Sequence, residues 1–362
     1  MDHLRIGIIM AGGSGERFWP LSTPERPKQL LNICENNHSL LQETYSRLTH
    51  FIQPDNIFVA TATHLKEATS EQLPNMSQEN ILSEPMKRNT AGCLLWVLAH
   101  LKAKYPNSWE KISVSIVPAD HYIEPKEQFS QLVTEILNFC EKNTSLVTIG
   151  ITPTRPETGY GYIEIDPDQD IQGSIGQVKS FREKPSLDRA LQYFSSGQHF
   201  WNSGMFFWTL ESFYNKFKEV SPDLIEYTDQ MAEYIAEENH QKAADTFALL
   251  PNISIDYALM EKAEDVYFAK ANFNWDDIGA WDAISRLHEQ DSELNTIHGD
   301  HVVMNSKNCT VYSENNQVNA CLLGVEDLIV VTAGDKVLVA HKDKAQEVRK
   351  LAQLASNKLE KI

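Results

Sequence analysis

Short apolar runs alternate with amphipathic segments along the first 150 residues, and this alternation constrains the fold more than any other feature. The apolar runs predict buried strands at 4–10, 57–62, 81–85, 112–120 and 146–151. Apolar residues at helical spacing predict helices at 39–48, 64–73, 90–105 and 127–142. Elements that alternate in this way indicate a parallel, doubly wound sheet with helices on both faces. Because ligands of such sheets bind beyond the carboxyl ends of the strands, the loops after residues 10, 83 and 118 are the candidates for a site.

The pattern changes twice further along the chain. Between 152 and 210 the segments YGYIEID and VKSFREKP predict a more mixed β region, and 210–262 is predicted helical. After residue 290, the short strand-like segments HVVMN, CTVYS, LIVVTAG and KVLVAHK precede a helical stripe at 344–359. The change of pattern near 290 predicts a large first domain over 1–290 and a small β-rich segment with a terminal helix over 291–362.

The charge balance excludes several classes of partner. The chain carries 32 Lys and Arg against 50 Asp and Glu, a formal net charge of −18. Such acidity disfavours binding to nucleic acid or to an anionic membrane, so any phosphate must be bound by a few local cations. No apolar run is long enough to cross a bilayer, and the N-terminus lacks the apolar core of a signal peptide. Five scattered cysteines without a C-x-x-C pair predict a reduced, cytoplasmic protein.

The run AGGSGERFWPLSTPERPKQLL follows the first strand directly, at 11–31. Its three glycines allow positive φ angles and a close approach of the backbone, and consecutive N–H groups in such a loop bind anions. The run matches neither a Walker A loop nor the dinucleotide-binding pattern G-x-G-x-x-G. Arg17 and Lys28 beside this loop suit a triphosphate. The alternative is a tight turn between strand and helix with two surface cations.

From this loop onward, the chain resembles the sugar nucleotidyltransferases, and among them the mannose-1-phosphate guanylyltransferases. The motifs that carry the resemblance are, in chain order, GGSGERFWPLSTPERPKQLL, EPMKRNTAG, VPADH, TGYGYIE, FREKP, WNSGMFFW, SIDYALMEKA and WDDIGAWDA. Phe18 stands where an aliphatic residue is commoner, and Ala280 where serine is usual. The resemblance implies a Rossmann-like nucleotidyltransferase fold. It also implies that GTP and mannose 1-phosphate are converted to GDP-mannose and pyrophosphate.

The resemblance further implies roles for particular side chains. The implied nucleotide-binding residues are Ala11, Gly12, Gly13, Ser14, Gly15, Glu84, Pro85, Asn89 and Thr90. The implied sugar-binding residues are Gly161, Glu164, Glu183 and Asn202. The implied catalytic cations are Arg17, Lys28 and Lys184. Asp120 and Asp277 are the implied ligands of one Mg²⁺ ion.

The chemistry of the reaction agrees with this residue set. A sugar phosphate has a second pKa near ~6, so it is already anionic at neutral pH and needs no general base. The obstacle is repulsion between two polyanions, which positioning and cations overcome. Magnesium takes few carboxylates, so two aspartates suffice. Glu84 can accept both N1–H and the 2-amino group of guanine, a donor pair that adenine lacks.

Each assignment has a structural alternative. Asp120 could cap the end of its strand, and Asp277 could cap a helix, since the chain from Ile278 onward has a helical pattern. The neighbour Asp276 could be mistaken for the ligand. Side chains of the Asn89-Thr90 pair are favoured at helix N-caps. In isolation, Lys184 would be an exposed lysine at the end of a strand, and Arg88 could pair with Glu84 or face the solvent.

Short relatives place a small left-handed β-helix-like segment after the catalytic domain, and the strands predicted at 301–341 are compatible with one. Longer relatives add a phosphomannose isomerase domain, whose zinc ligands are not clustered here, so we expect a single activity. The final helix could pack on the β segment or on a partner subunit, and we expect a homodimer. One alternative is a transferase for another sugar 1-phosphate or nucleotide. Another is a regulatory protein that binds GDP-mannose without catalysis.

Overall fold

The computed structural model describes residues 3–34, 38–166, 173–314 and 318–359. The strands, in chain order, are β1 (Leu4–Met10), β2 (Ile57–Ala62), β3 (Ile81–Glu84), β4 (Ile112–Pro118), β5 (Tyr122–Glu124), β6 (Leu146–Ile151), β7 (Tyr162–Ile165), β8 (Ile175–Arg182), β9 (His199–Thr209), β10 (Val266–Lys270), β11 (Asn274–Asp276), β12 (Thr296–His298), β13 (Val302–Met304), β14 (Thr310–Ser313), β15 (Cys321–Leu323), β16 (Leu328–Ala333) and β17 (Lys336–His341). The α-helices are α1 (Leu40–Leu48), α2 (Lys66–Gln72), α3 (Asn89–Lys104), α4 (Lys126–Cys140), α5 (Leu187–Ser196), α6 (Leu210–Val220), α7 (Pro222–Ala236), α8 (His240–Phe247), α9 (Ile284–Leu287) and α10 (Val348–Leu359).

The chain forms two compact units, each assembled from separate stretches of sequence. The first unit comprises Met1–Gly12, Thr44–Ala119 and Ile123–Trp275. The second unit comprises Gly13–Glu43, Asp120–Tyr122 and Asp276–Ile362. Most of the glycine-rich loop and both aspartates expected to bind a metal therefore belong to the second unit. The domain boundary near residue 290 stays a prediction.

A nine-stranded mixed sheet forms the centre of the first unit, in the order β3-β2-β1-β4-β9-β6-β10-β8-β7. The strands β3, β2, β1 and β4 pair in parallel, as the alternating pattern predicts. The long strand β9 runs antiparallel to both β4 and β6 and makes the sheet mixed. The doubly wound mixed α/β fold is thereby confirmed. β9 falls within the region 152–210 predicted as mixed β without being picked out as a strand, and β10 is not predicted.

The register of the parallel strands brings the candidate loops to one edge of this sheet. Met10, the last residue of β1, pairs with Ala60 of β2 and with Pro118 of β4. Ala62 pairs in turn with Glu84 at the end of β3. The chain therefore leaves β1, β3 and β4 at the same carboxyl edge, where ligands of such sheets bind.

The C-terminal part of the second unit is built from short strands, as predicted. Strands β12, β14 and β16 pair in parallel, β13 pairs in parallel with β15, and β17 runs antiparallel to β16. Short parallel strands arranged in this way agree with the β-helix-like segment expected after residue 290.

One apolar cluster joins this β region to the turn that follows the glycine-rich loop. Phe18, Trp281, Tyr312 and Val348 are all buried in it. The ring centroid of Trp281 lies 5.0 Å from that of Phe18 and 5.3 Å from that of Tyr312. The indole N–H of Trp281 donates to the carbonyl oxygen of Trp19 over 2.9 Å. Large aromatic side chains with satisfied polar atoms hold these three stretches of chain in fixed positions.

Candidate active site

A cavity of about 240 Å³ in the second unit gathers the charged residues predicted to act on phosphates and metal. Its lining residues are Ser14, Gly15, Glu16, Arg17, Phe18, Lys28, Asp120, His121, Asp277, Gly279 and Arg349. We call it the phosphate cavity. Arg17 is exposed, and its Nη1 donates to the carbonyl oxygen of Gly279 over 3.4 Å. The structure therefore brings Arg17, Lys28, Asp120 and Asp277 together from three separate stretches of sequence.

The glycine-rich loop begins at the end of β1. The backbone N–H of Ala11 donates to the carbonyl oxygen of Ala60 over 2.7 Å, and Ala11 is buried. Further along the loop, the side-chain amide of Gln29 donates to the carbonyl oxygen of Gly13 over 3.0 Å. Gly13 and Ser14 are exposed. The loop is thus held at these points, while exposed backbone remains for a ligand.

Gly15 is the residue whose identity this loop requires. It adopts a left-handed conformation, with φ 58° and ψ 18°, immediately before the helical turn Glu16–Phe18. A Cβ atom at this position would lie 2.5 Å from the Cβ of Lys28. Both the backbone conformation and the close approach to Lys28 therefore require glycine.

Lys28 is a buried cation with two partners. Pro27 precedes it and begins the short helical turn Lys28–Leu30. The side chain of Lys28 is only 7% exposed, and its Nζ donates to Oδ2 of Asp120 over 2.9 Å and to the carbonyl oxygen of Asp277 over 2.5 Å. Since a buried charge is costly unless it is paired and hydrogen-bonded, these contacts stabilise the charge of Lys28 in the cavity wall.

The Asp120 carboxyl group remains a third exposed in the phosphate cavity. Its Oδ1 lies 4.0 Å from Nε2 of His121. Burial acts to raise the pKa of Asp120, but the charges of Lys28 and His121 and the hydrogen bond from Lys28 outweigh burial and hold this pKa below its ordinary value. Asp120 is therefore ionised at neutral pH, as a ligand of a divalent cation must be.

The structure separates the roles of the neighbouring aspartates Asp276 and Asp277. Oδ1 of Asp276 accepts a hydrogen bond from the backbone N–H of Ile278 over 2.8 Å, and its Oδ2 lies 2.6 Å from Nε of Arg286. The helix predicted from Ile278 onward is wrong, because Ile278 has φ +47° and the helical turn begins only at Trp281. Asp276 is engaged in shaping this turn, whereas Asp277 lines the cavity.

The two aspartates of the cavity fit a magnesium ion. Within the described ranges, no group of three or more His, Cys, Asp or Glu side chains is arranged to hold a metal. Mg²⁺ differs from metals that need such a cage, because it binds one or two carboxylates and completes its shell with water and phosphate oxygens. The Asp120 and Asp277 side chains have the chemistry that this ion requires.

In the first unit, Glu84 lies at the end of β3 in a largely buried position. The Cys93 thiol hydrogen-bonds to the Glu84 carboxylate, and a Cβ atom at Gly12 would lie 3.4 Å from its Oε1. Pro85, the next residue, is half-buried. Burial raises the pKa of Glu84 to about 7, although the hydrogen bond from Cys93 acts in the opposite direction. A proton on this carboxyl group is therefore exchanged near neutral pH.

Asn89 and Thr90 do not cap α3 as the sequence suggests. Asn89 has φ +59°, and its Oδ1 accepts from the backbone N–H of the adjacent Thr90 over 2.8 Å. The Thr90 hydroxyl accepts from the backbone N–H of Ile255 over 2.8 Å. The sequence leaves open whether Arg88 pairs with Glu84 or faces the solvent. In the structure, Nη2 of Arg88 instead donates to the carbonyl oxygen of Ala248 over 2.6 Å.

Three of the predicted sugar-binding residues lie together in the first unit. The backbone N–H of Asn202 donates to the carbonyl oxygen of Gly161 over 2.8 Å, and a Cβ atom at Gly161 would lie 2.5 Å from Oε2 of Glu183. The Asn202 amide is fixed on both sides. Its Oδ1 accepts from the Thr148 hydroxyl over 2.9 Å, and its Nδ2 donates to Oδ1 of Asp256 over 2.8 Å.

The two remaining candidates in this region have charged partners. Lys184 is exposed, has φ +43°, and pairs through Nζ with Oε1 of Glu183 over 2.6 Å. Glu164 lies on β7, and its carboxylate accepts hydrogen bonds from Nζ of Lys179 over 2.6 Å and from the Ser180 hydroxyl over 2.7 Å. The structure therefore places Glu164 with these two side chains.

Two residues that have no role predicted from the sequence, Asp256 and Arg349, lie at these sites. Asp256 begins a single helical turn, and burial and the charge of Glu183 raise its pKa to about 6. Its segment SIDYALMEKA carries part of the family resemblance, so a signal is present without a role. Arg349 lines the phosphate cavity from α10. It is separated by 333 positions from its ion-pair partner Glu16, so no local pattern could reveal it.

Comparisons with known proteins extend over nearly the whole chain. A family model described as nucleotidyl transferase matches residues 6–293, and one described as MannoseP isomerase/GMP-like beta-helix domain matches 299–354. A mannose-1-phosphate guanylyltransferase from Escherichia coli is 34% identical over 360 residues, which are 98% of this chain and 76% of that protein. Another, from Salmonella montevideo, is 36% identical over 355 residues, covering 96% and 73% of the two chains. A solved structure from Thermus thermophilus, described as a mannose-1-phosphate geranyltransferase, matches with a TM-score of 0.85 and 34% identity, covering 98% of this chain and 99% of that one.

We expect Gly15→Ala to destabilise the protein more than a glycine substitution that introduces backbone strain alone. Gly324 has φ +64°, and no atom lies within 4 Å of the position that a Cβ would take there, so Gly324→Ala is the matched control. The control should lower the free energy of unfolding by about 1–2 kcal/mol. Gly15→Ala should cost about 2–5 kcal/mol, because overlap with Lys28 adds to the strain. Urea denaturation measures both values, and equal losses would contradict the close approach of Gly15 to Lys28.

Proposed function

The chain belongs to the nucleotidyl transferase family, and on this basis we propose that it transfers GMP from GTP to mannose 1-phosphate, with GDP-mannose and pyrophosphate as products. The family predicted from the motifs is thereby confirmed, and the activity agrees with the names of the Escherichia coli and Salmonella relatives. The observation that most strongly supports this function is the phosphate cavity, where Arg17 and Lys28 lie with Asp120 and Asp277 beside the glycine-rich loop.

In this reaction a phosphate oxygen of the sugar phosphate attacks the α-phosphorus of GTP. A P–O bond forms there, the bond to the bridging oxygen of the β-phosphate breaks, and the electron pair leaves with pyrophosphate. The nucleophile is already ionised, so the protein has no proton to remove. Its task is to hold two anions together and to stabilise the charge that develops on the leaving group. Arg17, Lys28 and the backbone N–H groups of the loop at Gly13–Gly15 suit that task.

Asp120 and Asp277 would hold Mg²⁺, which neutralises phosphate charge when it is bound. The neighbouring Lys28 keeps the Asp120 carboxyl group ionised through neutral pH. We assign Ala11, Gly12, Gly13, Ser14 and Gly15 to the nucleotide phosphates, and Glu84, Pro85, Asn89 and Thr90 to guanine.

We assign the sugar 1-phosphate to the residues around Asn202. The amide of Asn202 and the carboxylate of Glu183 can exchange hydrogen bonds with mannose hydroxyls, and Lys184 supplies a compact cation for the phosphate. Gly161 lets the Glu183 carboxylate approach the backbone closely. Glu164 stays in this proposed set, with Lys179 and Ser180 holding its carboxylate.

Further proposals concern the state of the protein. Exposed apolar side chains on β13, β15 and β17 suit a homodimer; they are Val302, Met304, Leu323, Val337 and Val339. None of the cysteines in the described ranges forms a disulfide, and we infer a reducing, cytoplasmic setting from this. None of the helices in the described ranges has the length and apolar character needed to cross a membrane. We also place the domain boundary near residue 290, just before the gap between the matched segments 6–293 and 299–354.

Loss of either metal-binding aspartate should abolish most of the activity. We expect Asp120→Asn and Asp277→Asn to lower the rate of pyrophosphate release from GTP and mannose 1-phosphate about 10²–10³-fold, because uncompensated phosphate charge raises the barrier. Asp335→Asn, in the exposed turn between β16 and β17, is the control and should leave the rate unchanged. Parallel assays with ATP, UTP and dTTP, and with glucose 1-phosphate, test the substrates. A faster rate with UTP or dTTP than with GTP would exclude the guanine assignment.

The Glu84→Gln substitution should weaken GTP binding and remove its dependence on pH. The wild-type KM for GTP should rise as pH falls through about 7, where Glu84 takes up a proton and can no longer accept two hydrogen bonds. A glutamine presents only one acceptor, so the variant's KM should be about tenfold higher and nearly independent of pH. Glu79→Gln is the control, since that side chain is 82% exposed on the turn before β3.

Glu84→Gln should weaken GTP binding but increase the stability of the folded protein at neutral and higher pH. The raised pKa of Glu84 means that the folded protein binds a proton that the unfolded chain has lost, so burial of Glu84 costs stability as pH rises from about 4.5 to about 7. Above that range, Glu84→Gln should therefore unfold at a higher urea concentration than the wild type. A variant with unaltered GTP kinetics would contradict the assignment of Glu84 to guanine.

We expect Asp256→Asn to raise the KM for mannose 1-phosphate about tenfold and to leave the KM for GTP unchanged, because it removes a charge-assisted hydrogen bond that orients the Asn202 amide. The wild-type KM for the sugar phosphate should also rise as pH falls through about 6, where Asp256 is protonated. Asp245→Asn, at an exposed position of α8, is the control. Steady-state kinetics with each substrate varied in turn measure these constants, and equal changes in both would refute a role confined to the sugar.

A further inference from the structure

The C-terminal helix contributes a third cation to the phosphate cavity. Arg349, the second residue of α10, lines this cavity together with Arg17 and Lys28. Nε of Arg349 lies 2.7 Å from Oε2 of Glu16, the residue that follows the left-handed Gly15. A residue near the end of the chain therefore reaches the loop that begins near its start.

Packing fixes this position of Arg349. The preceding residue, Val348, is 2% exposed and lies in the same apolar cluster as Phe18. The first turn of α10 is therefore held against the helical turn that contains Glu16. One helical turn later, Nε2 of Gln353 also contacts Oε2 of Glu16, over 3.3 Å. This spacing of four residues is the one that brings two side chains to the same helix face.

The Arg349–Glu16 pair leaves most of the guanidinium available. An arginine has five N–H donors. In the described part of the chain, Arg349 donates through Nε to Glu16, and its four terminal N–H groups have no hydrogen-bond partner. The Arg349 side chain is 55% exposed, and an ion pair at that exposure contributes little to stability. The pair is therefore readily exchanged for a more highly charged partner.

We propose that Arg349 binds the terminal diphosphate group of the nucleotide substrate, and the pyrophosphate it becomes, by exchanging Glu16 for phosphate oxygens. The terminal N–H groups of an arginine match two phosphate oxygens at once, and such charge-assisted bonds are stronger than an exposed ion pair. Glu16 acts as the anion that occupies Arg349 until the diphosphate arrives. This inference rests on the proposed function, because it takes the phosphate cavity as the place where the triphosphate binds.

The two partners should therefore affect diphosphate binding in opposite directions. Isothermal titration of the full-length protein with inorganic pyrophosphate and Mg²⁺ gives the dissociation constant directly, without catalysis. We expect Arg349→Ala to raise this constant about tenfold or more. Glu16→Gln should lower it about threefold, because Arg349 no longer has to leave a carboxylate. In the Arg349→Ala background the Glu16→Gln change should have a smaller effect than in the wild type, since there is no cation to release.

Controls separate this role from a structural one. Lys350→Ala removes a neighbouring exposed cation of α10 and should leave the dissociation constant unchanged. Thermal unfolding of each variant shows whether α10 remains docked, and a conservative Arg349→Lys variant should recover part of the affinity. Titration with inorganic phosphate in place of pyrophosphate should show a much smaller effect of Arg349→Ala. Equal effects for the two anions would instead indicate a general attraction and overturn the diphosphate assignment.

Lys28→Met distinguishes failure of this inference from failure of the proposed function. If Lys28→Met weakens pyrophosphate binding while a folded Arg349→Ala variant binds like the wild type, the phosphate cavity is upheld and the role of Arg349 is refuted. If neither substitution alters binding, both the cavity assignment and the role of Arg349 are overturned. Weakening by both, with no change in Lys350→Ala, supports both.

Discussion

The buried ammonium group of Lys28 is the interaction on which the phosphate cavity depends. Its hydrogen bonds join Asp120, at the end of β4, to the backbone of Asp277 after β11. A buried lysine that lost these partners would be strongly destabilising, so the fold keeps the three stretches of chain together. The close approach of Gly15 to Lys28 extends this constraint to the glycine-rich loop. The residues assigned to metal and to phosphate are thus held in place by one another, and neither set can shift alone.

The first unit contains two largely buried acids at the positions assigned to guanine and to the sugar phosphate. Glu84 and Asp256 both have a pKa above the ordinary value, chiefly because burial disfavours their charged forms. A purely structural site would place an apolar residue or an amide there at lower cost. Each acid instead accepts from a neutral side chain, Cys93 for Glu84 and Asn202 for Asp256, which leaves acceptor capacity on the carboxylate. The free-energy cost of burying these carboxylates is offset where they bind a ligand that has N–H or O–H donors.

The features that the sequence predicts are those that local pattern determines. β1, β2 and β4 are continuous apolar runs, because strands inside a parallel sheet are covered on both faces, and the observed bounds agree closely with the prediction. β9 lies in the region predicted as mixed β but is not picked out as a strand, since its eleven residues mix Asn, Ser and Gly with aromatic residues. Residue pattern alone does not distinguish Asp276 from Asp277; the family resemblance selects Asp277, and the ion pair with Arg286 shows what Asp276 does instead. Arg349 depends on the docking of a distant helix, which no local pattern encodes.

Three of the four cations assigned to phosphates are paired with a carboxylate, whereas Arg17 contacts the carbonyl oxygen of Gly279. Lys28 pairs with Asp120, Lys184 with Glu183, and Arg349 with Glu16. In a protein with a net charge of −18, these three carboxylates compete with phosphate for their cations before substrate binds. The burial of each ion pair then determines whether the pair opens when a phosphate binds. The Lys28 pair is buried and stays closed as part of the wall, whereas the exposed lysine and arginine pairs can open at little cost when a phosphate arrives. In an acidic protein, binding of polyanions therefore depends on a few locally placed cations and on how easily each of them exchanges its carboxylate for phosphate.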